Sequence, residues 1–414
     1  MNLKNGYIKS CQICSSKKII NIINLGNISP CDTLLSYNDL IKTEKSFPLN
    51  LCRCNKCGLV QIDYVVDPKY LFHPNYPYKS GITKDLKVNL NNISNHVNKS
   101  HKTDSNLVID IGSNDGSILE GLKKIGYTVL GVEPTNIAKI ANKRGIPTIQ
   151  KFFSLKLSNY IKKKYGKASI ITASNVFAHV NKLSDLLNGI YNLLEDDGVF
   201  VSESHYLVDI VEKLQFDSIY HEHLKYYSIK PLTFLLDKHN LVLEKVERIS
   251  NYGGSIRAYV RKKKSKFKVH KSVKNLLNYE KNNGFYSDKI YKEFSKKVIK
   301  FKSDFKNLIL QLKRNNKKVI GIGCPGRAMT LLEYCGINKD LMSYIIEQKK
   351  SLKIGLYTPG SHIPVLNEKI ALKKQPDYAV MLSWHYSKSI INNLRKKGLK
   401  SKIIVPLPTI RTVK

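Results

Sequence analysis

The residues of this chain that could carry chemistry are concentrated in residues 215–228, which read QFDSIYHEHLKYYS. Within this segment Tyr220, His221, Glu222 and His223 are consecutive. A buried core disfavours such a run, because each polar group left unpaired costs about 1–3 kcal/mol. Together with the glycine turn upstream, described next, the segment indicates proton-transfer chemistry beside a bound cofactor. The alternative interpretation is a polar loop that caps the following helix.

Upstream of this segment, an apolar strand runs into a glycine turn typical of nucleotide-type cofactor sites. Residues 108–116 read VIDIGSNDG, and Glu133 ends the next predicted strand, where a carboxylate can accept hydrogen bonds from ribose hydroxyls. The turn lacks the GxGxxG spacing of a dinucleotide loop, and its aspartates suit a cationic ligand. The sequence therefore favours S-adenosylmethionine over NAD, with a plain strand-to-helix connection as the alternative. The predicted cofactor contacts are Asp110, Gly112, Ser113, Asn114, Asp115, Gly116 and Glu133.

Four of the eight cysteines form two CxxC pairs, Cys11 with Cys14 and Cys54 with Cys57. In a cytosolic chain such pairs predict thiolate ligands of a tetrahedral zinc rather than disulfides. Four sulfur ligands leave no open coordination position, so we expect the zinc to be structural. Cys52 fits the knuckle spacing poorly. The alternative is a set of reduced thiols without metal.

The formal net charge of +37 comes mostly from lysine. Nucleic-acid recognition favours arginine forks, whereas the arginines here are few and scattered, so we expect no nucleic-acid partner. No segment approaches the roughly 20 apolar residues that span a bilayer, and the N-terminus lacks the apolar stretch of a signal peptide. We therefore expect a cytoplasmic, monomeric protein with no membrane partner.

The elements that must position these residues alternate along the chain. Alternating strands and helices over residues 106–207 predict a doubly wound parallel sheet, whose ligands bind at the carboxyl ends of the strands. A second α/β pattern covers residues 317–408, and apolar residues at helical spacing over 272–315 predict a packed helix pair before it. The expected domains are 1–75 for zinc binding, 76–262 for the cofactor, and 263–414 for a helical linker with the last α/β unit.

Seven motifs occur in order along the chain: CQIC with CNKCGLVQ, VIDIGSNDGSIL, SNVFAHV, QFDSIYHEHLKYYS, NYGGSIR, GIGCPGRAMTLLEYCGI and PGSHIPV. Together they resemble the sugar-nucleotide C-methyltransferases of deoxysugar biosynthesis over nearly the whole chain. The resemblance implies an α/β fold with three parts. These are a small zinc-binding N-terminal domain, a class I S-adenosylmethionine methyltransferase domain with a doubly wound sheet, and a C-terminal Rossmann-like substrate-binding domain.

The same resemblance implies an active site around His223. This residue would be the base that removes the proton next to the ketone of a nucleotide-linked 4-keto-deoxysugar. Tyr220 would lie beside the base, and His179 of the SNVFAHV motif would face the same cavity. Tyr78, in preference to Tyr76, would join them from the segment between the zinc and cofactor domains.

The resemblance also implies cofactor contacts from Pro134 and Asn175. Three positions depart from the family pattern. Arg327 occupies a lysine position, Tyr252 stands where histidine is common, and Glu347 stands where aspartate is usual. These departures leave the chemistry unchanged and leave the identities of the sugar and the nucleotide open.

Methyl transfer to carbon requires a carbanion equivalent, and a carbon next to a ketone supplies one as an enolate. Histidine has the near-neutral pKa that such a base needs, and a tyrosine or His179 could donate to the enolate oxygen. Glu222, which flanks the base, could orient an imidazole or pair with a lysine. Two other function classes stay open. They are a zinc-containing nucleic-acid-binding protein or RNA methyltransferase, and an NAD-dependent sugar oxidoreductase that uses GIGCPGR as its loop.

Overall fold

The computed structural model describes residues 5–72 and 105–413. These residues form β-sheets of four, seven and six strands, and a two-stranded pair near the N-terminus. The α/β fold class predicted from the alternating pattern is confirmed. Within the described ranges, no helix combines the length and apolar character needed to cross a membrane.

The N-terminal region is built on short antiparallel strands. They are β1 (Gly6–Tyr7), β2 (Ile19–Ile28), β3 (Phe47–Cys54), β4 (Val60–Ile62) and β5 (Tyr64–Val65). Strand β3 pairs with β2 on one side and with β4 on the other, while β1 pairs with β5. A one-turn helix, α1 (Pro68–Leu71), follows, and Asp67 caps it by accepting from the backbone N–H of Lys69.

The central region contains eight strands. They are β6 (Leu107–Ile111), β7 (Thr128–Val132), β8 (Thr148–Ile149), β9 (Ala168–Ser174), β10 (Leu194–His205), β11 (Lys225–Tyr226), β12 (Leu241–Ile249) and β13 (Ser255–Lys262). Seven of them form one sheet in the order β12-β13-β10-β9-β6-β7-β8. The predicted sheet is parallel from β8 to β10, and β13 runs antiparallel to both of its neighbours. This strand order, with one reversed strand near the edge, is that of a class I methyltransferase.

Helices cover both faces of the central sheet. They are α2 (Ser117–Lys124), α3 (Ala138–Lys143), α4 (Leu155–Tyr165), α5 (Leu183–Leu193), α6 (Leu207–Glu212) and α7 (Ile229–Asp237). Successive residues of a strand point to opposite faces. In β6, Val108 packs with Leu119 of α2, whereas Ile109 belongs to the cluster that contains Ile161 of α4. Because helices pack on both faces, the turns that follow the strands lie together at the carboxyl end of the sheet.

A helix pair connects the central region to the last one, as predicted. Helix α8 (Lys271–Asn282) is followed by the long helix α9 (Asp288–Arg314). Buried aromatic residues recur along α9, among them Phe294, Phe301 and Phe305. They pack into one continuous apolar core with the N-terminal sheet and the C-terminal sheet. Helix α9 therefore packs between the N-terminal sheet and the C-terminal sheet.

The C-terminal region has an α/β arrangement. Its strands are β14 (Val319–Ile322), β15 (Ile345–Glu347), β16 (Val365–Asn367), β17 (Tyr378–Met381), β18 (Lys402–Val405) and β19 (Arg411–Val413). The sheet order is β16-β15-β14-β17-β18-β19, and only the β18–β19 pair is antiparallel. Its helices are α10 (Arg327–Cys335), α11 (Lys369–Lys374) and α12 (Ser387–Lys396).

Candidate active site and metal centre

One cavity of about 1410 Å³ lies where the zinc-binding, central and C-terminal regions meet. The turn after β6 forms one end of it and the turn after β14 forms another. Tyr220, Glu222 and His223 contribute to its wall. The cavity therefore brings together the predicted cofactor turn and residues 215–228, called the acid–base segment below.

The four predicted metal ligands form one cluster. The sulfurs of Cys11 and Cys57 are 3.5 Å apart, as are those of Cys14 and Cys54. All four sulfurs lie within 4.8 Å of one another. Four thiolates about 2.3 Å from a tetrahedral zinc would be about 3.8 Å apart, so the arrangement fits a closed structural zinc site.

Local backbone turns point both cysteine pairs at this centre. In the first knuckle, Ser15 has φ +57° and donates its N–H to Cys11 O at 3.0 Å. In the second, Gly58 has φ +83° and donates to Cys54 O at 2.9 Å. Cys52 lies outside the cluster and donates its thiol to a backbone carbonyl across the sheet. Its exclusion on spacing is consistent with this geometry.

The cofactor turn requires glycine at its first position. Gly112 has φ +71°, and its N–H donates to Val132 O at 2.8 Å. A Cβ at this position would lie 2.5 Å from Cγ2 of Val176. The left-handed backbone and the collision with Val176 together exclude a side chain at this position.

A buried carboxylate and a hydroxyl face the cofactor end of the cavity. One oxygen of Glu133 accepts from the backbone N–H of Asn114 at 3.0 Å, and the other accepts from Thr135 N and Oγ1. These bonds fix the carboxylate at the end of β7. The hydroxyl of Ser113 is buried without a hydrogen-bond partner within the described ranges. The site therefore offers a positioned acceptor, the Glu133 carboxylate, to a ribose.

Asp110 is a second buried carboxyl at this end. It is 2 % exposed and accepts from Thr172 Oγ1 at 2.7 Å. Burial raises the pKa of Asp110 to about 7, with a further rise from the neighbouring Glu133 charge. A bound cation would favour its ionised form. The donor set thus fits S-adenosylmethionine, which carries a ribose and a positive sulfonium.

The remaining predicted cofactor residues divide into two groups. Pro134 and Asn175 line the cavity, and Asn175 has φ +55°. Asp115 and Gly116 lie outside the lining. Asp115 accepts from the hydroxyl of Ser117 at 2.6 Å, and Gly116 is the N-cap of α2 with φ +78°. Asp115 and Gly116 therefore determine the local shape of the turn without lining the cavity.

His223 has hydrogen bonds at both ring nitrogens. Its Nδ1 lies 3.1 Å from Ser218 O, and its Nε2 lies 2.9 Å from the hydroxyl of Tyr220. A carbonyl oxygen can only accept, so Nδ1 carries the proton and Nε2 is the acceptor. Burial lowers the pKa of His223 well below its ordinary value, and His179 and His205 lower it further. The ring is therefore neutral at pH 7.

The rings of two more histidines contact the ring of His223. The ring centroids of His179 and His205 lie 4.8 and 4.9 Å from that of His223. Burial lowers the pKa of His179 to about 4 and that of His205 to about 3. His179 was expected here from its motif. His205 was missed, because a single histidine at the end of a strand gives no signal in sequence.

Glu222 lies on the side of the cavity formed by the zinc-binding region. The thiol of Cys31 donates to it at 3.2 Å. Beside it, Asp32 accepts from the ammonium of Lys353 at 2.7 Å, and both side chains of this pair are less than 10 % exposed. Residues from the N-terminal and C-terminal regions thus close this wall, which no motif in the sequence predicted.

Two residues at the acid–base segment have structural contacts: His221, which lies within it, and Trp384, which binds it from the C-terminal region. Nε2 of His221 lies 3.2 Å from the carbonyl oxygens of Phe47 and Pro48. These contacts tie the His221 ring to strand β3 of the zinc-binding region. Trp384 donates its indole N–H to Asp217 at 2.8 Å. Tyr78 lies outside the described residues.

Comparisons with known proteins agree with this architecture. A family model described as a C-methyltransferase C-terminal domain matches residues 250–408, a zinc binding domain model matches 11–72, and a methyltransferase domain model matches 86–246. The C-methyltransferase NovU of Streptomyces niveus is 30% identical over 410 residues, 98% of this chain and 97% of that protein.

Among solved structures, magnesium protoporphyrin IX methyltransferase (ChlM) from Synechocystis PCC 6803 with bound SAH is 12% identical, with a TM-score of 0.34. The similarity covers 44% of this chain and 90% of that one. On the full-length similarity to NovU, this chain belongs to the C-methyltransferase family. It is an S-adenosylmethionine-dependent C-methyltransferase with a zinc-binding N-terminal domain.

Proposed function

We propose that this enzyme methylates the carbon next to the ketone of a nucleotide-linked 4-keto-deoxysugar, and that His223 is the base that forms the enolate. The observation that carries the proposal is the tautomer of His223, fixed by the carbonyl of Ser218 at 3.1 Å from Nδ1. It leaves the lone pair on Nε2, on a ring that contributes to the cavity wall. A base for carbon acids needs such a lone pair at neutral pH.

Tyr220 would supply the second half of the reaction. Its hydroxyl donates to Nε2 of His223 at 2.9 Å. A small displacement of the Tyr220 side chain, together with rotation of its O–H bond, would turn the donor toward a ketone oxygen and uncover the lone pair. One hydrogen-bonded pair would then provide both the base and a donor for the enolate oxygen.

The proton balance follows from these roles. The substrate proton passes to Nε2, the C–H electron pair becomes the enolate double bond, and the ketone π electrons move to oxygen. S-adenosylmethionine, when bound, would supply the methyl group: the enolate carbon accepts it as the sulfur–methyl bond breaks, which leaves S-adenosylhomocysteine and restores the ketone. The protonated imidazole then returns its proton to solvent. Phosphates of a nucleotide substrate would assist by raising the pKa of His223, since nearby negative charge favours the imidazolium.

The far end of the cavity suits the nucleotide portion of such a substrate. Gly323, directly after β14, has φ +76°, and a Cβ there would lie 2.3 Å from the hydroxyl oxygen of Ser383. Glu347 ends β15 and accepts from the backbone N–H of Cys324 at 2.7 Å. A glycine turn with an acid at the end of the next strand is the usual ribose-binding arrangement of α/β sheets.

Mass spectrometry after incubation with S-adenosylmethionine and a panel of nucleotide-linked sugars tests the proposal. We expect one added methyl group on a 4-keto sugar and none on the matched 4-hydroxy sugar, whose C–H bond cannot form an enolate. The His223→Ala variant should give no product while it still binds S-adenosylhomocysteine. Methylation of the 4-hydroxy sugar would indicate transfer to oxygen and would contradict the proposal.

A further inference from the structure

His205 is placed to act beside His223. It is the last residue of β10, and its ring contacts His223 at 4.9 Å and Tyr252 at 5.7 Å between centroids. The residue is partly exposed, and the surface it exposes lines the cavity. A histidine that touches the proposed base and also faces the substrate space has the position of a reacting group.

The hydrogen bonds distinguish His205 from His179. His179 interacts with the backbone of Glu222 in a way that favours a proton on the bonded nitrogen, and its Nδ1 has no hydrogen-bond partner among the described residues. In the neutral ring that Nδ1 is an acceptor. For His205, ring contacts but no hydrogen bond occur within the described ranges. Its single N–H is therefore uncommitted, whereas that of His179 is already used.

The electrostatics keep His205 uncharged. Burial lowers its pKa to about 3, and the positive charge of Arg327 and the neighbouring His179 act in the same direction. A neutral imidazole still carries one N–H, and a neutral donor can stabilise an enolate oxygen without itself losing a proton. An uncharged donor also leaves the pKa of the adjacent His223 less depressed than a cation would.

The backbone holds His205 in one orientation. β10 and β13 pair with His205 opposite Ser255, directly after the Tyr252 turn. Tyr252 has φ +52°, and its carbonyl accepts from Arg327 at 3.1 Å. The backbone of the residue whose ring packs on His205 is thus held by a buried guanidinium, and a fixed donor costs little reorganisation during the reaction.

We propose that His205 is a further catalytic residue, whose N–H donates a hydrogen bond to the ketone oxygen of the substrate as the enolate forms. This inference rests on the proposed function. In this scheme His205 and Tyr220 donate hydrogen bonds to the ketone oxygen, and His223 accepts the substrate proton. The reaction then has two donors for the developing charge, as oxyanion sites usually have.

Deuterium wash-in at the substrate carbon tests the proposal separately from methyl transfer. The full-length protein is saturated with S-adenosylhomocysteine and given a 4-keto nucleotide sugar in D₂O. Removal of one oxyanion donor typically costs 10²–10³-fold, so His205→Phe should exchange about 100-fold more slowly than wild type. His205→Gln keeps an N–H donor near the Nε2 position and should recover at least about tenfold of that loss. His239→Gln, at a surface histidine paired with Asn188, is the matched control and should exchange at the wild-type rate.

The outcomes separate the possibilities. An unchanged exchange rate in His205→Phe would overturn the proposal. Equal, complete loss in both His205 variants would also overturn it, because it would make His205 the proton acceptor. Calorimetric titration with S-adenosylhomocysteine and the melting temperature check that each variant is folded. If wild type exchanges no 4-keto sugar while His223→Ala and wild type bind the cofactor product equally, the proposed function itself fails.

Discussion

Arg327 and Asp217 form a buried, two-point ion pair between the C-terminal region and the acid–base segment. Nε and Nη2 of Arg327 lie 2.7 and 2.6 Å from the two carboxylate oxygens. The side chains are 6% and 0% exposed. Arg327 also donates to the side-chain oxygen of Gln215 and to Tyr252 O, so four of its five N–H donors bind the protein. The departure from lysine at this position therefore serves domain positioning, which requires the planar fork of arginine.

Arg327→Ala should destabilise the protein strongly. Removal of one partner leaves the Asp217 carboxylate buried without its counter-charge, and broken buried pairs cost about 3–5 kcal/mol. Urea unfolding followed by circular dichroism measures the change in the free energy of unfolding. Lys300→Ala is the control, because its pair with Asp304 is 77% and 48% exposed and should contribute at most about 1 kcal/mol. Equal effects in the two variants would contradict this role.

The four-cysteine cluster should bind about one zinc per chain, as expected for a single Cys₄ site. Cys57→Ser removes one of the four thiolates, so we expect loss of the metal and a lower melting temperature. Cys52→Ser is the matched control, because Cys52 lies on the same sheet outside the cluster, and it should retain the metal. Elemental analysis of both variants is the measurement. Well-folded wild-type protein without zinc would refute this prediction.

Glu133→Ala should weaken binding of S-adenosylhomocysteine by about 1.5–3 kcal/mol, the usual contribution of hydrogen bonds to a charged group. The carboxylate lies at the end of β7 with its orientation fixed by Thr135 and Asn114. Isothermal titration calorimetry gives the affinity directly. Glu120→Ala is the control, since Glu120 lies on α2, partly exposed and paired with Arg144. Micromolar binding of NAD by wild type would argue against the cofactor assignment.

His223→Ala should abolish deuterium wash-in at the carbon next to the ketone. Loss of a general base typically costs 10²–10⁴-fold in rate, and wash-in reports proton removal without methyl transfer. Nuclear magnetic resonance of the sugar, with S-adenosylhomocysteine bound, is the measurement. A loss of only a few-fold would move the role of base to His179 or to a tyrosine.

Glu333 should make stability fall as the pH rises. Burial raises its pKa from about 4.5 to about 8, and the nearby Glu44 charge adds to the shift. The folded state therefore holds a proton that the unfolded chain has lost, so stability present at low pH is lost as the pH approaches 8. The contribution of Glu333 to the free energy of unfolding, measured as wild type minus Glu333→Gln, should decrease by up to about 1.4 kcal/mol per pH unit in this window.

Urea unfolding of wild type and Glu333→Gln at several pH values between 6.5 and 8 checks this dependence. The buried histidines, whose lowered pKa values make stability rise with pH, contribute equally to both proteins. Glu333→Gln keeps the shape of the side chain, so the difference between the two slopes isolates Glu333. An unchanged slope in Glu333→Gln would show that another group is responsible.

Much of the architecture was predictable because it depends on local periodicity. The strand before Gly112, the helix pair over 272–315 and the two CxxC knuckles follow from spacing alone, and the structure contains all three. The reversed strand β13 was not predicted. Its residues alternate as any strand does, and its direction depends on which neighbours it meets.

The site was predictable only where its residues share a motif. Tyr220, Glu222 and His223 are neighbours in sequence, so their clustering could be inferred. His205 lines the same cavity, and Cys31 donates to Glu222 from behind its wall. Both come from distant segments, and neither carries a local signal. Contacts between elements far apart in the chain are set by packing of the whole core, which a single sequence does not display.

Strand β11 has a consequence for protein engineering. Lys225 and Tyr226 belong to the same segment as His223, and they complete the zinc-bearing sheet by pairing with Gln61 and Val60 of β4. The edge of one module is therefore supplied by another module far along the chain. A chimera that exchanges residues 5–72 alone between relatives would leave this edge mismatched. A transplant of the first module should therefore include residues 215–228 from the same protein, so that β4 and β11 come from one sequence.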